Sequence, residues 1–235
     1  MPAQKPVQKP VQKPSSPSRR WVKVLVVLGV VAVAGVLFVR TVRNMLAEPY
    51  AVSGPLLRGW TLAFEDGAGP TAPYLVLRGP ADVSVELSHQ IFKRAMESVS
   101  TPAVAAVPLL MRGEFDRAFA GHVTPEQLLA AARNAGLGSR PLVPRCLAYR
   151  RASEVGSTRQ LYYLLFDMPA FAQFRRVLAP LAVASGGLAY DPAALSPALA
   201  VAMSQSTEEQ WLPIAADEAA DCKAPVTVNA AGAAP

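Results

Sequence analysis

The chain has 235 residues, 51% of them hydrophobic, and a formal net charge of +6. Six of its 23 basic residues (Lys5, Lys9, Lys13, Arg19, Arg20 and Lys23) lie in the first 23 positions, where there is no acid; the other 17 balance the 17 acids. A neutral remainder lacks the electrostatic footprint that nucleic-acid binding needs, so no nucleic-acid partner is expected. The richness in Ala, Val, Leu, Pro and Arg fits, by association only, a GC-rich bacterial genome.

Residues 4–14 repeat Gln-Lys-Pro-Val, with proline at every fourth position. Proline lacks the N–H that helix and sheet require, so residues 1–20 read as an extended, solvated, basic tail. A period of four does not hold the prolines on one face of a three-residue-per-turn helix, which argues against a polyproline ligand. The tail suits anionic headgroups instead.

From Val24 to Val39 there is no charged side chain, and Trp21 and Val22 lengthen the apolar stretch to 21–39. At about 1.5 Å per residue this comes close to a hydrocarbon core about 30 Å thick. A soluble amphipathic helix would keep a polar face, and this run has none. The lipid bilayer is therefore the first expected partner. Lys and Arg before the span outnumber Arg40 and Arg43 after it, which predicts a cytoplasmic tail and an exported domain in a bacterial inner membrane. Ala32-Val-Ala34 has the small-residue form of a signal-peptidase site, but the apolar run continues to Val39, so an anchor is favoured over a cleaved signal. The Arg19-Arg20 pair needs no twin-arginine export reading beside so apolar a run.

Residues 40–55 read as a juxtamembrane connector, 56–222 as one globular domain and 223–235 as a loose tail. Trp60–Phe64 and Tyr74–Leu77 are expected strands joined by a turn-rich segment. Within 84–99, Leu87, Ile91, Phe92, Met96 and Val99 recur at helical spacing, with Ser88, His89, Lys93, Arg94 and Glu97 opposite, which predicts an amphipathic helix. Ala103–Met111 contains Pro108 and reads as an edge strand. Thr124-Pro-Glu-Gln127 has the form of a capping box opening a helix that closes near Gly136-Leu-Gly138. Leu142–Arg151 and Arg159–Asp167 are further strands; Leu161–Phe166, apolar on both faces, should be interior. Pro169 begins a helix carrying Phe171, Phe174 and Leu178, which Pro180 is expected to interrupt. Asp191-Pro192 and Ser196-Pro197 look like helix starts, and Leu199–Met203 fits strand or helix. The mixture of hairpins and single helices indicates an α+β domain with a mostly antiparallel sheet.

Chemistry is sparse. Cys146 and Cys222 are the only cysteines; in an exported domain they are a disulfide candidate, since that compartment is oxidising. Glu86-Leu-Ser-His89 has the spacing of two helix-borne metal ligands but no second copy, and an exposed polar helix face explains it, so no metal is expected. His122 is the only other histidine. Glu114-Phe-Asp116 between Arg112 and Arg117 reads as a solvated, charge-balanced turn. Arg150, Arg151, Arg175 and Arg176 are candidates for an anion site if hairpin and helix come together. There is no nucleophile elbow, phosphate loop or cofactor motif, so no cofactor is expected. The favoured reading is an exported protein-interaction or accessory module of an envelope complex. The alternative is a membrane-anchored, hydrolase-like envelope enzyme with a dispersed site.

Overall fold

The computed structural model describes residues 19–96, 98–154, 157–184, 190–204 and 214–230. The proline-repeat tail and the end of the chain, at 231–235, lie outside these residues. Contacts divide the chain into two units, residues 1–43 and 44–235. In the first, helix α1 (Arg19–Ala47) contains the window Val24–Thr41, with mean hydropathy 2.5 and no buried residue. Among the described residues it is the one helix long and apolar enough to cross a membrane, and it is compatible with a single-pass protein.

The second unit is α+β. Strands β2 (Thr61–Phe64), β3 (Pro73–Gly79) and β4 (Ala105–Met111) form an antiparallel three-stranded sheet in the order β2-β3-β4. Pro108 thus sits on an edge strand, although one buried throughout. A larger sheet takes β1 (Tyr50–Ser53), β5 (Val143–Glu154), β6 (Ser157–Asp167), β7 (Ala198–Met203) and β8 (Cys222–Asn229) in the order β1-β8-β5-β6-β7. This sheet is mixed, which corrects the expectation of a mostly antiparallel one: β1 runs parallel to β8, while the other pairs are antiparallel. The reason is topological. The first and last strands of the unit are neighbours, and the chain that leaves the end of β1 crosses back to the end where β1 began before it enters β8.

Both strands of that pair lie where the sequence reading placed no strand, β1 within the connector and β8 within the C-terminal tail. β1 is only four residues long and β8 carries Lys223, Pro225 and Asn229, so neither shows a clear local strand pattern. Pro225 cannot donate to a ladder. It is the last residue of β8 paired to β5, and the next, Val226, is the first paired to β1, so the missing N–H falls where the pairing changes partner.

The helices show how far local signals reach. α4 (Pro125–Asn134) has its capping box: Thr124 Oγ1 accepts from Gln127 N at 3.3 Å, and Gln127 Oε1 accepts from Thr124 N at 2.8 Å. It ends in a Schellman arrangement, with Leu137 N donating to Ala132 O and Gly136 N to Arg133 O, Gly136 being at φ +86°. α5 (Pro169–Ala184) buries Phe171, Phe174 and Leu178, but it continues through Pro180 rather than stopping there. Asp191–Pro197 is a turn, not a helix start: Asp191 Oδ1 accepts from Ala193 N, and Ser196 Oγ from Ala216 N.

α2 (Asp82–Ala95) departs most from expectation. It buries Val83, Ser84, Leu87, Ser88 and Ile91, whereas Phe92 and Met96 are exposed. Its polar face is the one that meets β1. Glu86 Oε2 accepts from Ser53 N (3.1 Å), Gln90 exchanges bonds with Ala51 N and O (3.0 and 2.7 Å), and Arg94 donates to Glu48 O and Pro49 O (2.7 and 2.9 Å). Side chains four apart on a helix share a face, so the three act as a ladder along the free edge of β1. An uncovered edge would leave those backbone groups to water or to another strand.

The main core lies between the two sheets and under α2, α4 and α5. Gly79 is required in it, because a Cβ there would occupy the Trp60 indole, whose Nε1 donates to Leu56 O at 2.9 Å. The outer face of the larger sheet carries a smaller cluster of Cys146, Ala148, Tyr163, Leu165, Ala198 and Ile214. Cys146 and Cys222 form a disulfide beside it, with Cα atoms 5.8 Å apart, and so fasten β8 to β5. The bridge spans 76 positions and stabilises by about 4–5 kcal/mol on the loop-entropy model. Thermal unfolding of Cys146→Ala/Cys222→Ala should therefore show a Tm many degrees below that of the parent. Adding reductant should lower the parent and leave the double variant unchanged.

Candidate functional site

Glu114, expected on a solvated turn, instead lies in the first turn of helix α3 (Arg112–Ala118) and accepts from Met111 N at 3.0 Å. Its two oxygens receive the guanidinium of Arg175 at 2.9 and 2.7 Å. Arg175 is 0% exposed. Its remaining donors reach Pro192 O, Asp191 O and Leu109 O, and its guanidinium carbon lies 4.8 Å from the Tyr190 ring centre. A hollow of about 400 Å³ beside the pair is bordered by Met111, Glu114, Arg117, Tyr190 and Asp191. The Tyr190 hydroxyl is buried without a hydrogen-bond partner among the described residues, and burial pushes its ionisation upward. The bidentate pair and the carbonyl contacts of Arg175 tie α3, α5 and the segment at 191–192 together.

A second polar centre lies near the disulfide. Arg150 donates to Asp221 at 2.6 Å and to Ala215 O at 2.8 Å, and Asp217 N also donates to Asp221. Burial acts to raise the Asp221 carboxyl, but contacts from Arg150, Tyr163 and the Asp217 amide outweigh it and hold the carboxyl below its ordinary value. The Tyr163 hydroxyl is buried against this pair without a well-formed hydrogen bond. Burial first, and then the Asp221 carboxylate, push its ionisation upward.

The four arginines are thus distributed as follows. Arg150 is committed to Asp221, Arg151 is exposed on β5, Arg175 is committed to Glu114, and Arg176 is exposed with its Nε on Ala172 O at 3.2 Å. Arg150 and Arg175 share no ion-pair partner. Consecutive residues on a strand point to opposite faces, and on a helix they diverge by about 100°. His89 and His122 are both exposed, and Glu86 is bonded to Ser53. Among the described residues no group of three or more His, Cys, Asp or Glu converges on a point that could hold a metal.

What sequence reasoning missed is a groove along α4 and α5. Two hollows of about 340 and 410 Å³ lie side by side there, with Ala135 and Gln173 lining both. The first is lined by Val123, Ala131, Val177 and Leu181, and the second carries Arg140 and Asp167 at its end. Val177 (44% exposed) and Leu181 (36%) are one turn apart, a spacing visible in the sequence; that the turn faces a groove is decided by how α4 packs. Gln127, Asn134 and Gln173 also line the first hollow, so its surface combines apolar and uncharged polar side chains.

The chain matches no protein-family model, and comparisons with curated proteins and with solved structures find no match either.

Two measurements follow from the polar centres. Glu114→Ala leaves Arg175 buried and unpaired and should cost about 3–5 kcal/mol in denaturant unfolding. Glu114→Leu with Arg175→Met, which removes both charges, should restore much of that. Asp221 is held below its ordinary value near 3.8, so its stabilisation is complete above that value and is lost as pH falls through the folded one. Asp221→Asn should therefore be less stable by about 1–3 kcal/mol at neutral pH. The gap to the parent should close between about pH 5 and pH 2.

Proposed function

We propose that this chain is a single-pass protein of a bacterial inner membrane, with its basic N-terminus in the cytoplasm and its domain exported, and that the domain binds a protein partner as an accessory module of an envelope complex. The observation that carries the reading is the apolar lining along α4 and α5, where Val177 is 44% exposed beside Val123 and Ala131. The orientation is supported by the charge asymmetry about the span and by a disulfide that needs an oxidising compartment to persist. The apolar side chains Val123, Ala131 and Val177 that line the first hollow suit a protein partner, which favours a binding module over the alternative of an anchored hydrolase.

Protease added to spheroplasts should degrade the domain and spare an N-terminal tag, and that tag should stay on the membrane-bound protein, which would not occur if the chain were cut after Ala34. A photo-crosslinking residue at Val177 in the native membrane should give one adduct of discrete mass, and Val177→Asp should reduce partner recovery by about tenfold or more. The same crosslinker at Val228, exposed on β8, should give none. Absence of any adduct at 177 would overturn the partner reading.

A further inference from the structure

α2 exposes an apolar stripe that the fold does not use. Val85 (53% exposed), His89, Phe92 (52%) and Met96 (81%) recur at spacings of four, three and four, so they line one side of the helix, opposite the buried Leu87 and Ile91. Met96 is the helix-terminal residue at φ +54°, the one positive-φ residue other than glycine among the described residues. Glycine or asparagine is the usual choice there, so neither packing nor backbone preference accounts for a methionine this exposed. Lys93, also exposed, lies beside the stripe.

Where the stripe lies in the chain is informative. The ladder from α2 to β1 is antiparallel: Glu86 meets Ser53, Gln90 meets Ala51, and Arg94 meets Glu48 and Pro49. Arg94 thus holds the C-terminal end of α2 against the residues that immediately follow α1. Glu48 is seven residues beyond Thr41, the end of the apolar window. Seven residues reach about 25 Å at full extension and about 10 Å as helix, so this end of α2 is bound by its own chain to the neighbourhood of the span. Val85, eleven residues earlier in the helix, lies about 16 Å further along its axis.

We propose that the C-terminal end of α2, through Phe92, Lys93 and Met96, seats in the interface of the bilayer that holds α1, so that the domain lies on the membrane instead of swinging from a tether. The inference rests on α1 being the membrane anchor and adds a second attachment to it. An aromatic ring and a flexible thioether enter the boundary between headgroups and acyl chains, while the lysine keeps its charge at headgroup level. The attachment is intramolecular, so a contact too weak to hold a free domain on a bilayer suffices here.

The test uses the full chain in vesicles of phosphatidylcholine with one quarter phosphatidylglycerol. Single nitroxide labels are placed through Met96→Cys, Phe92→Cys, Val85→Cys, Val143→Cys and Val31→Cys, the native cysteines being bridged and unreactive. Collision with oxygen reports lipid, and collision with a water-soluble nickel chelate reports solvent. The expected result is a gradient: strong loss of chelate collisions at 96 and 92, little at 85, and none at the exposed strand position 143. Free chelate access at 92 and 96 with a lipid-like signal at 31 overturns the seat and leaves the anchor standing. Chelate access at 31 overturns both. Equal protection at 85, 92 and 96 also overturns it, because a protein partner or a second copy would cover the whole stripe.

Discussion

The guanidinium of Arg175 holds the domain together at the point where its two sheets meet. It leaves α5, which follows β6 of the larger sheet, and reaches Glu114 of α3 and the Leu109 carbonyl of β4, which belong to the smaller sheet and its continuation. It also reaches Asp191 and Pro192, on the segment that leads into β7. All five of its N–H groups have acceptors, the condition under which a charge with no exposed surface is tolerated at all. Removing any one acceptor leaves part of a cation unsolvated, so β4, α3, α5 and the 190–197 segment are constrained jointly. Such a pair confers less net stability than a hydrophobic substitute of the same shape would, and what it contributes is a defined geometry.

A different constraint organises the opposite edge. β1 has a strand on one side only, and α2 supplies the other side with side-chain amide, carboxylate and guanidinium groups. The edge is thereby closed to strand addition without a further strand. β8 completes the arrangement from within, since it pairs first with β5 and then with β1, and its first residue is bridged to Cys146. The end of the described chain is thus held to the strand that follows α1 in sequence. Among the described residues of the domain, the hollows along α4 and α5 and a stripe on α2 carry apolar side chains that folding does not bury.

Elements defined by neighbours in sequence were legible in advance. The Thr124 capping box and the glycine-closed end of α4 appear where their residues indicate, because both partners of each bond lie within a turn of each other. Leu161–Phe166, apolar on both faces, is an interior strand between β5 and β7. α2 was legible as a helix but not in its rotation. Its pattern groups Leu87, Ile91, Phe92 and Met96 on one apolar side, but the structure buries the first two and exposes the other two. Pro180 was expected to end α5, but tertiary burial of Phe174, Leu178 and Ala182 carries the helix past it.

The sequence by itself determined the apolar span, the confinement of excess charge to its N-terminal side, the α+β class and the two cysteines as a possible bridge. These depend on composition, on local period or on an inventory of two. The tertiary structure decided the partner of Arg175, 61 residues away, and the pairing of β1 with β8, across which Thr227 bonds to Tyr50 over 177 residues. It also decided which apolar side chains stay exposed. No local pattern encodes these, because a buried charge and an edge strand take their partners from whichever distant groups the packing brings within hydrogen-bond reach.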